Sequence, residues 1–240
     1  RANANKEMNA LLLKTTEKFN ARVADIQGGS LRNAIPRESF VTITVPEAKA
    51  EELLAYVPEF EAVVKEQFAA VEPEMSITVV PTEMPAKVID KETIAKLIEA
   101  VAKYPNGVIA MSKDFEGTVE TSSNLAIVKL VDGQIMTASL QRSLVDASKD
   151  ELAAEMRKVL ESCGARAEST GSYPGWKPNI NSIIYNTMKK VYADKYGKTP
   201  KTMVIHAGLE CGILGSKYPN WDMVSFGPTL LFPHPPDDAL

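Results

Sequence analysis

Apolar residues recur at helical spacing along five stretches of the chain. An apolar residue at every third or fourth position marks the buried face of an amphipathic helix. Pro58 lies inside one of these stretches and is expected to break or kink it, because proline lacks the amide proton that a helix interior uses. Gly164 and Gly197 follow two others and predict left-handed C-caps. The predicted helices cover residues 1–20, 48–71, 91–104, 150–163 and 181–196.

Shorter apolar or alternating runs predict strands between these helices. Asp132 and Gly133 separate two of the runs, and Asp-Gly between apolar segments is a strong hairpin signal. The predicted strands cover residues 22–29, 40–45, 75–80, 123–131 and 134–142, with two more at 203–205 and 223–226. Each of the last two leads into a loop that carries histidine, so these loops are candidates for a site.

The order of the elements predicts an α+β fold with a two-layer domain of two ferredoxin-like halves, each an antiparallel sheet with helices on one face. Helix, two strands, helix and strand are followed by helix, two strands and helix. This domain would span residues 1–168, with halves of about 1–85 and 86–168. Residues 169–240 would form a partial α/β segment. The duplication rests on the order of elements, since no repeat is visible residue by residue.

Composition narrows the classes of function. The chain has 240 residues, 45% of them hydrophobic and 24% charged, and a net charge of -4. These values are ordinary for a globular protein; no apolar run could span a bilayer and no basic patch would attract nucleic acid. Two distant cysteines, Cys163 and Cys211, argue against a disulfide scaffold. With no signal peptide apparent, they favour a cytoplasmic location.

Three motifs near the end of the chain carry a specific resemblance. They are GSYPGWKPN at 171–179, IHAGLECGI at 205–213 and the segment 222–238, which contains SFGPT and His234. They resemble the C-terminal part of the aminoacyl-histidine dipeptidases, also called Xaa-His dipeptidases or peptidase D, within the two-zinc exopeptidases. Segments 32–38, 105–108 and 119–122 fit the same pattern. The resemblance therefore covers essentially the whole chain.

The resemblance implies a fragment of a zinc-dependent dipeptidase. In that family a lid domain interrupts the catalytic domain and pairs with its twin. Residues 1–168 would then be the lid, residues 169–240 would be a partial catalytic segment, and a homodimer is expected. Two zinc ions in each active site activate the water that attacks a dipeptide, with dipeptides ending in histidine as one candidate class. Most metal ligands and the general base precede the lid, so this chain alone is expected to hold an incomplete zinc site and no catalytic residue. The alternative is a non-catalytic lid-like dimerisation or peptide-binding module.

The resemblance assigns His234 as a zinc ligand, which suits the neutral nitrogen of imidazole. The alternative is an ordinary histidine in a proline-rich surface turn, and Pro235 and Asp238 depart from the family pattern. Glu210 would pair with the free amine of the substrate, and Gly208 would lie beside it as a further substrate-binding residue. A carboxylate satisfied by neighbouring backbone amides is the alternative for Glu210.

Two residues of the predicted lid complete the substrate contacts. Asn33 would hydrogen-bond the region of the scissile carbonyl, and Arg142 would grip the terminal carboxylate in bidentate fashion. For each, a polar residue at a strand end is the alternative. His206 is interpreted as structural, and Cys211 lacks the paired motif that marks a nucleophile.

Overall fold

The computed structural model describes residues 1–113, 115–176, 179, 181–205 and 210–227. Within these ranges a 3-10 turn at Glu47–Lys49 precedes the second helix. The strands are β1 (Arg22–Gly28), β2 (Ser39–Thr44), β3 (Gly107–Met111), β4 (Val119–Val131) and β5 (Gln134–Ser143). The helices are α1 (Ala4–Phe19), α2 (Ala50–Phe68), α3 (Lys91–Lys103), α4 (Asp146–Ser162), α5 (Ile183–Tyr196) and α6 (Glu210–Lys217).

The sheet has the order β2-β1-β4-β3, and β5 also pairs with β4. β1 runs antiparallel to β2, with Gly28 opposite Ser39, and antiparallel to β4, with Gln27 opposite Lys129. The turn from β4 to β5 has positive φ at both Asp132 and Gly133 (49° and 77°), as a two-residue type I′ hairpin requires. The predicted α+β class and the predicted hairpin are therefore confirmed.

One core cluster forms where α1 packs against α2. Leu11 and Phe19 of α1 are buried together with Leu53 and Val57 of α2. The Phe19 ring lies 5.3 Å from the ring of Tyr56, in a tilted arrangement. The four cluster residues fall on the apolar faces predicted for the helices at 1–20 and 48–71, so periodicity found them correctly, whereas Tyr56 lies outside the predicted face.

Three predicted strands are wrong. Residues 75–80, 203–205 and 223–226 are not in strands. A strand exists only where a neighbour completes its hydrogen-bond ladder, and none of the ladders among the described residues includes these segments. Ile77 and Val79 still pack against the core cluster. The alternation of apolar and polar residues at 75–80 therefore reflects burial and not pairing with a strand. In contrast, β3 was predicted as loop and does form a strand.

Three features of the helices also differ from prediction. α2 continues through Pro58 instead of breaking there. The carbonyl that loses a hydrogen bond belongs to Leu54, whose side chain is exposed, so water can donate to it. α4 begins at Asp146, before the predicted start at 150, because its first turn is polar and shows no apolar period. Glu210 was predicted in a loop and is instead the first residue of α6.

The chain divides into two compact units. The first unit contains Arg1–Asn106, Ser123–Leu140 and Glu155–Ala167, and the second contains Gly107–Ser122, Gln141–Ala154 and Glu168–Leu240. β4, β5 and α4 contribute residues to both units. The predicted boundary near residue 168 stays a prediction.

A lysine side chain completes the end of α3 in the first unit. The Nζ atom of Lys6 donates to the carbonyl oxygens of Val101 (2.6 Å), Ala102 (3.2 Å) and Tyr104 (3.0 Å). These are carbonyls that a helix terminus leaves without internal partners. Burial lowers the pKa of Lys6 despite the nearby charge of Glu7. Lys6 therefore fastens α1 to α3 through the polar end of its side chain.

A buried asparagine joins three parts of the first unit. The Oδ1 atom of Asn3 accepts the N–H groups of residues 5 and 6 and so caps α1. Its Nδ2 atom donates to Asn106 Oδ1 (3.2 Å), Asn124 Oδ1 (3.3 Å) and Leu125 O (3.0 Å). Asn124 in turn donates to Ala34 O at 2.6 Å. This asparagine network connects α1, β4 and the loop at 31–36.

We predict that Asn3→Asp will lower the free energy of unfolding by about 2–4 kcal/mol, because the carboxylate keeps the cap but loses the buried donors. Asp90→Asn is the matched control: Asp90 caps α3 through an exposed contact to Thr93 N at 2.9 Å, and should matter far less. Urea denaturation of the three proteins measures the effect. A loss in Asn3→Asp as small as that in Asp90→Asn would show that the buried donors of Asn3 contribute nothing and that Asn3 acts only as a cap.

Candidate functional site

Arg142 lies near the end of β5, in the second unit. Its Nε atom is buried and has no hydrogen-bond acceptor among the residues that the structure describes. The strand end beside it is fixed, since Ser143 Oγ and Thr121 Oγ1 are buried and 2.8 Å apart, and Leu144 N donates to Glu120 O at 2.9 Å. A buried guanidinium N–H without an acceptor lowers the stability of the fold. An anionic group on a bound molecule would supply the acceptor that this position lacks.

The loop at 173–176 is fastened to the start of α4. The amide of Gly175 donates to Asp146 Oδ1 at 2.9 Å. Lys149 Nζ donates to Tyr173 O at 2.7 Å and lies 2.9 Å from the same Asp146 oxygen. The Lys149 side chain is only 15% exposed, so this ion pair is partly shielded from water. We call Asp146 and Lys149 the loop clamp.

The clamp changes the titration of its carboxylate. The hydrogen bond from Lys149 lowers the pKa of Asp146 below its ordinary value of 3.8, and the amide of Gly175 lowers this pKa further. Both donors favour the ionised form of the carboxyl group. Asp146 therefore stays ionised across the neutral range and holds the loop there.

α6 begins beside the same loop. Gly212 is buried, and a Cβ atom at this position would lie 2.7 Å from Pro174 O. Glu210 is exposed in the first turn of α6. A carboxylate there stabilises the helix, because its negative charge lies near the positive end of the helix dipole. The structural interpretation of Glu210, as a residue that stabilises the helix start, is thus compatible with its position.

A cavity of about 380 Å³ lies between α6, the loop at 174–176 and residues 219–223. Trp221 on its wall stacks on Tyr218, with ring centroids 4.3 Å apart. Asp222 accepts the amide of Ile184 at 2.9 Å, at the start of α5. Its pKa is lowered first by the hydroxyl of Ser182 and then by that amide. The two acids on the cavity wall, Asp146 and Asp222, therefore both hold backbone segments.

Asn33 lies in the first unit, exposed on the loop between β1 and β2. The loop is anchored on both sides of it. Asn124 Nδ2 donates to Ala34 O at 2.6 Å, and Ala4 N donates to Pro36 O at 3.1 Å. The asparagine network therefore fixes the backbone that carries this candidate residue.

The remaining predicted site residues lie outside the described residues. Gly208 and His234 are in this group, as is His206. Within the described ranges, no group of three or more His, Cys, Asp or Glu side chains could hold a metal ion. The residues with described positions therefore do not fit a zinc centre by themselves.

Sequence reasoning assigned no role to four residues that build this region: Asp146, Lys149, Gly175 and Gly212. The spacing of Asp146 and Lys149 by three residues is a helix-surface signal, but it falls in a polar stretch without apolar period. The two glycines lie inside the motifs at 171–179 and 205–213, but nothing local shows what each one contacts, because each is required by a segment far away in sequence.

Comparison with known proteins confirms the resemblance. Residues 1–72 match the model of the M20 peptidase dimerisation domain. The chain is 38% identical over 241 residues to the cytosol non-specific dipeptidase of Escherichia coli (strain K12), covering 99% of this chain and 49% of that protein. It superposes with a TM-score of 0.89 and 38% identity on the aminoacylhistidine dipeptidase of Vibrio alginolyticus, covering 99% of this chain and 48% of that one. The chain thus spans about half the length of these relatives.

We predict that the pKa of Asp146 lies below 3.8 and rises toward that value in Lys149→Met, because the strongest favourable hydrogen bond is removed. The contribution of the clamp to stability is then complete above pH 3.8 and is lost as the pH falls through the folded-state pKa. Carboxyl carbon NMR titration measures this value. Lys158→Met changes an exposed lysine of the same helix and should leave the Asp146 titration unchanged. An unchanged titration in Lys149→Met would refute the clamp.

Proposed function

We propose that this chain provides the lid domain and part of the catalytic domain of a dipeptide hydrolase. The lid would span residues 1–168 and the catalytic segment residues 169–240. Similarity to two dipeptidases over 99% of the chain supports this assignment. Since the chain spans about half of each relative, hydrolysis requires groups beyond those described here, and the chain alone binds substrate without cleaving it.

The buried Nε atom of Arg142 is the observation that carries the proposal. A guanidinium presents planar donors that match a carboxylate, so Arg142 would bind the C-terminal carboxylate of the dipeptide. Glu210 and Gly208 would contact the other end, where the substrate carries an ammonium group. Asn33 would donate to the region of the scissile carbonyl.

Zinc stays part of the proposal through the family resemblance alone. When bound, the metal would supply the activated water for hydrolysis. His234, the proposed ligand, lies outside the described residues, and those described do not form a metal cluster. The steps assigned to this chain are therefore binding and orientation of the peptide.

We place the protein in the cytoplasm, as the relative from Escherichia coli is described as cytosolic. None of the helices in the described ranges has the length and apolar character needed to cross a bilayer.

We also propose that the chain forms a homodimer through its lid. The match of residues 1–72 to a peptidase dimerisation domain supports this. β2 is at one end of the sheet order, and Phe40 on it is 63% exposed. Such edges recruit partner strands. The same match favours the second candidate function, a dimerisation module that no longer takes part in hydrolysis.

We predict that Arg142→Ala will weaken binding of alanyl-histidine at least about tenfold, because hydrogen bonds between charged groups contribute about 1.5–3 kcal/mol. Calorimetry with the full chain measures the affinity. The C-terminal amide of the same dipeptide lacks the carboxylate, so its affinity should be low and insensitive to the substitution. Arg37→Ala, which removes an exposed arginine, should leave both affinities unchanged. Equal loss for the dipeptide and its amide would contradict the assigned role, and hydrolysis by the wild-type chain would contradict its assignment as a binding part.

We predict that Phe40→Glu will convert a dimer to a monomer of 26.2 kDa, because it places charge on an exposed edge strand. Light scattering at micromolar concentration measures the mass. Val108→Glu puts the same charge on β3, where Val108 is similarly exposed (58%), and should leave the dimer intact. A monomeric wild-type chain would defeat the proposed assembly.

A further inference from the structure

Two glycines allow three backbone segments of the second unit to stack without side chains between them. A Cβ atom on Gly175 would lie 2.9 Å from Leu144 O and 3.1 Å from Ser143 O. A Cβ atom on Gly212 would lie 2.7 Å from Pro174 O. Cβ atoms essentially never come within 3.0 Å of another backbone, so a side chain at either glycine would force these segments to shift. The order of the stack is the end of β5, the loop at 174–175, and α6.

The stack rests on a fixed base on the side of β5. Leu144 N donates to Glu120 O at 2.9 Å, and the buried hydroxyls of Ser143 and Thr121 are 2.8 Å apart. The middle layer is held by the loop clamp through Tyr173 O and Gly175 N. Because the first two layers are fixed, the position of α6 depends on how closely it approaches Pro174.

Two proposed substrate residues lie on the outer layers. Arg142 immediately precedes Ser143 in β5, and Glu210 is two residues before Gly212 in α6. The thickness of the middle layer therefore sets the separation of these two residues. If they bind the two ends of a peptide, as proposed above, this separation determines the accepted length. One added residue lengthens an extended peptide by about 3.3–3.6 Å.

We propose that Gly175 and Gly212 are positioning residues that restrict the substrate to two residues, by limiting the spacer between β5 and α6 to one layer of backbone. This inference rests on the proposed roles of Arg142 and Glu210. Adding one methyl group at either glycine would move a layer by about half an ångström, the distance needed to restore ordinary van der Waals contact. The shift would widen the Arg142 to Glu210 separation.

The test compares Gly175→Ala and Gly212→Ala with Gly215→Ala. The control places the same methyl group in α6, where it meets only the flexible Met223 Cε among the described atoms, at 3.2 Å. Crystal structures of each variant give the Arg142 to Glu210 separation directly. Calorimetry with alanyl-histidine and alanyl-alanyl-histidine gives the preference for length. Using both glycines keeps the test open if one variant does not fold.

We expect a wider separation in Gly175→Ala and Gly212→Ala, and an unchanged one in Gly215→Ala. The dipeptide should lose about tenfold in affinity and the tripeptide less, so their affinity ratio should fall about fivefold. Unchanged separations in the first two variants would overturn the spacer, and equal losses for both peptides would overturn its role in length selection. If the wild-type chain binds neither peptide, the proposed function fails and length selection fails with it. The crystal structures of the variants would then still test whether the two glycines set the separation of Arg142 and Glu210.

Discussion

The buried amide of Asn3 is the contact on which the first unit depends. Its oxygen caps α1, and its nitrogen has three oxygens within hydrogen-bond distance, on Asn106, Asn124 and Leu125. An apolar side chain would fill the same space but would leave those oxygens without this donor, and buried polar groups without partners are costly. Nearby Asn5 is also confined, since a Cβ atom on Gly28 would lie 1.8 Å from its Oδ1 atom, which has no hydrogen-bond partner among the described residues. The network is therefore tightly restricted in sequence.

Helices were predicted from the sequence because their hydrogen bonds and their apolar period are both local. The predicted faces of α1 and α3 are the buried ones, and Gly164 and Gly197 do take left-handed backbone angles (φ 81° and 66°) after their helices. Strands were less predictable. The apolar run at 203–205 has a strand-like sequence, as β1 does. Of these two segments, β1 alone has neighbouring strands that complete its hydrogen-bond ladder within the described structure. Partners in space cannot be read from a short run.

In the candidate site, too, some features could be predicted from the sequence and others could not. Motifs drew attention to Arg142 and Glu210, since those residues carry charge that suits the ends of a peptide. Their surroundings were not predictable, because close approach at Gly175 involves a segment about 30 residues earlier in the chain. Periodicity also placed the start of α4 too late, so the loop clamp was hidden in what looked like a polar linker. The charged side chains could be identified from the sequence, whereas the close packing of the backbone segments around them could not.

The position of Lys6 has a consequence for the reactivity of its amine. With its Nζ atom held by carbonyls at the end of α3, this amine is shielded. Two lysines of α3 itself, Lys96 and Lys103, instead pair with exposed glutamates. An acylating reagent should therefore modify those surface lysines at once and Lys6 only when α1 separates from α3. The time course of Lys6 acylation would thus report the local opening of this helix pair in the folded protein.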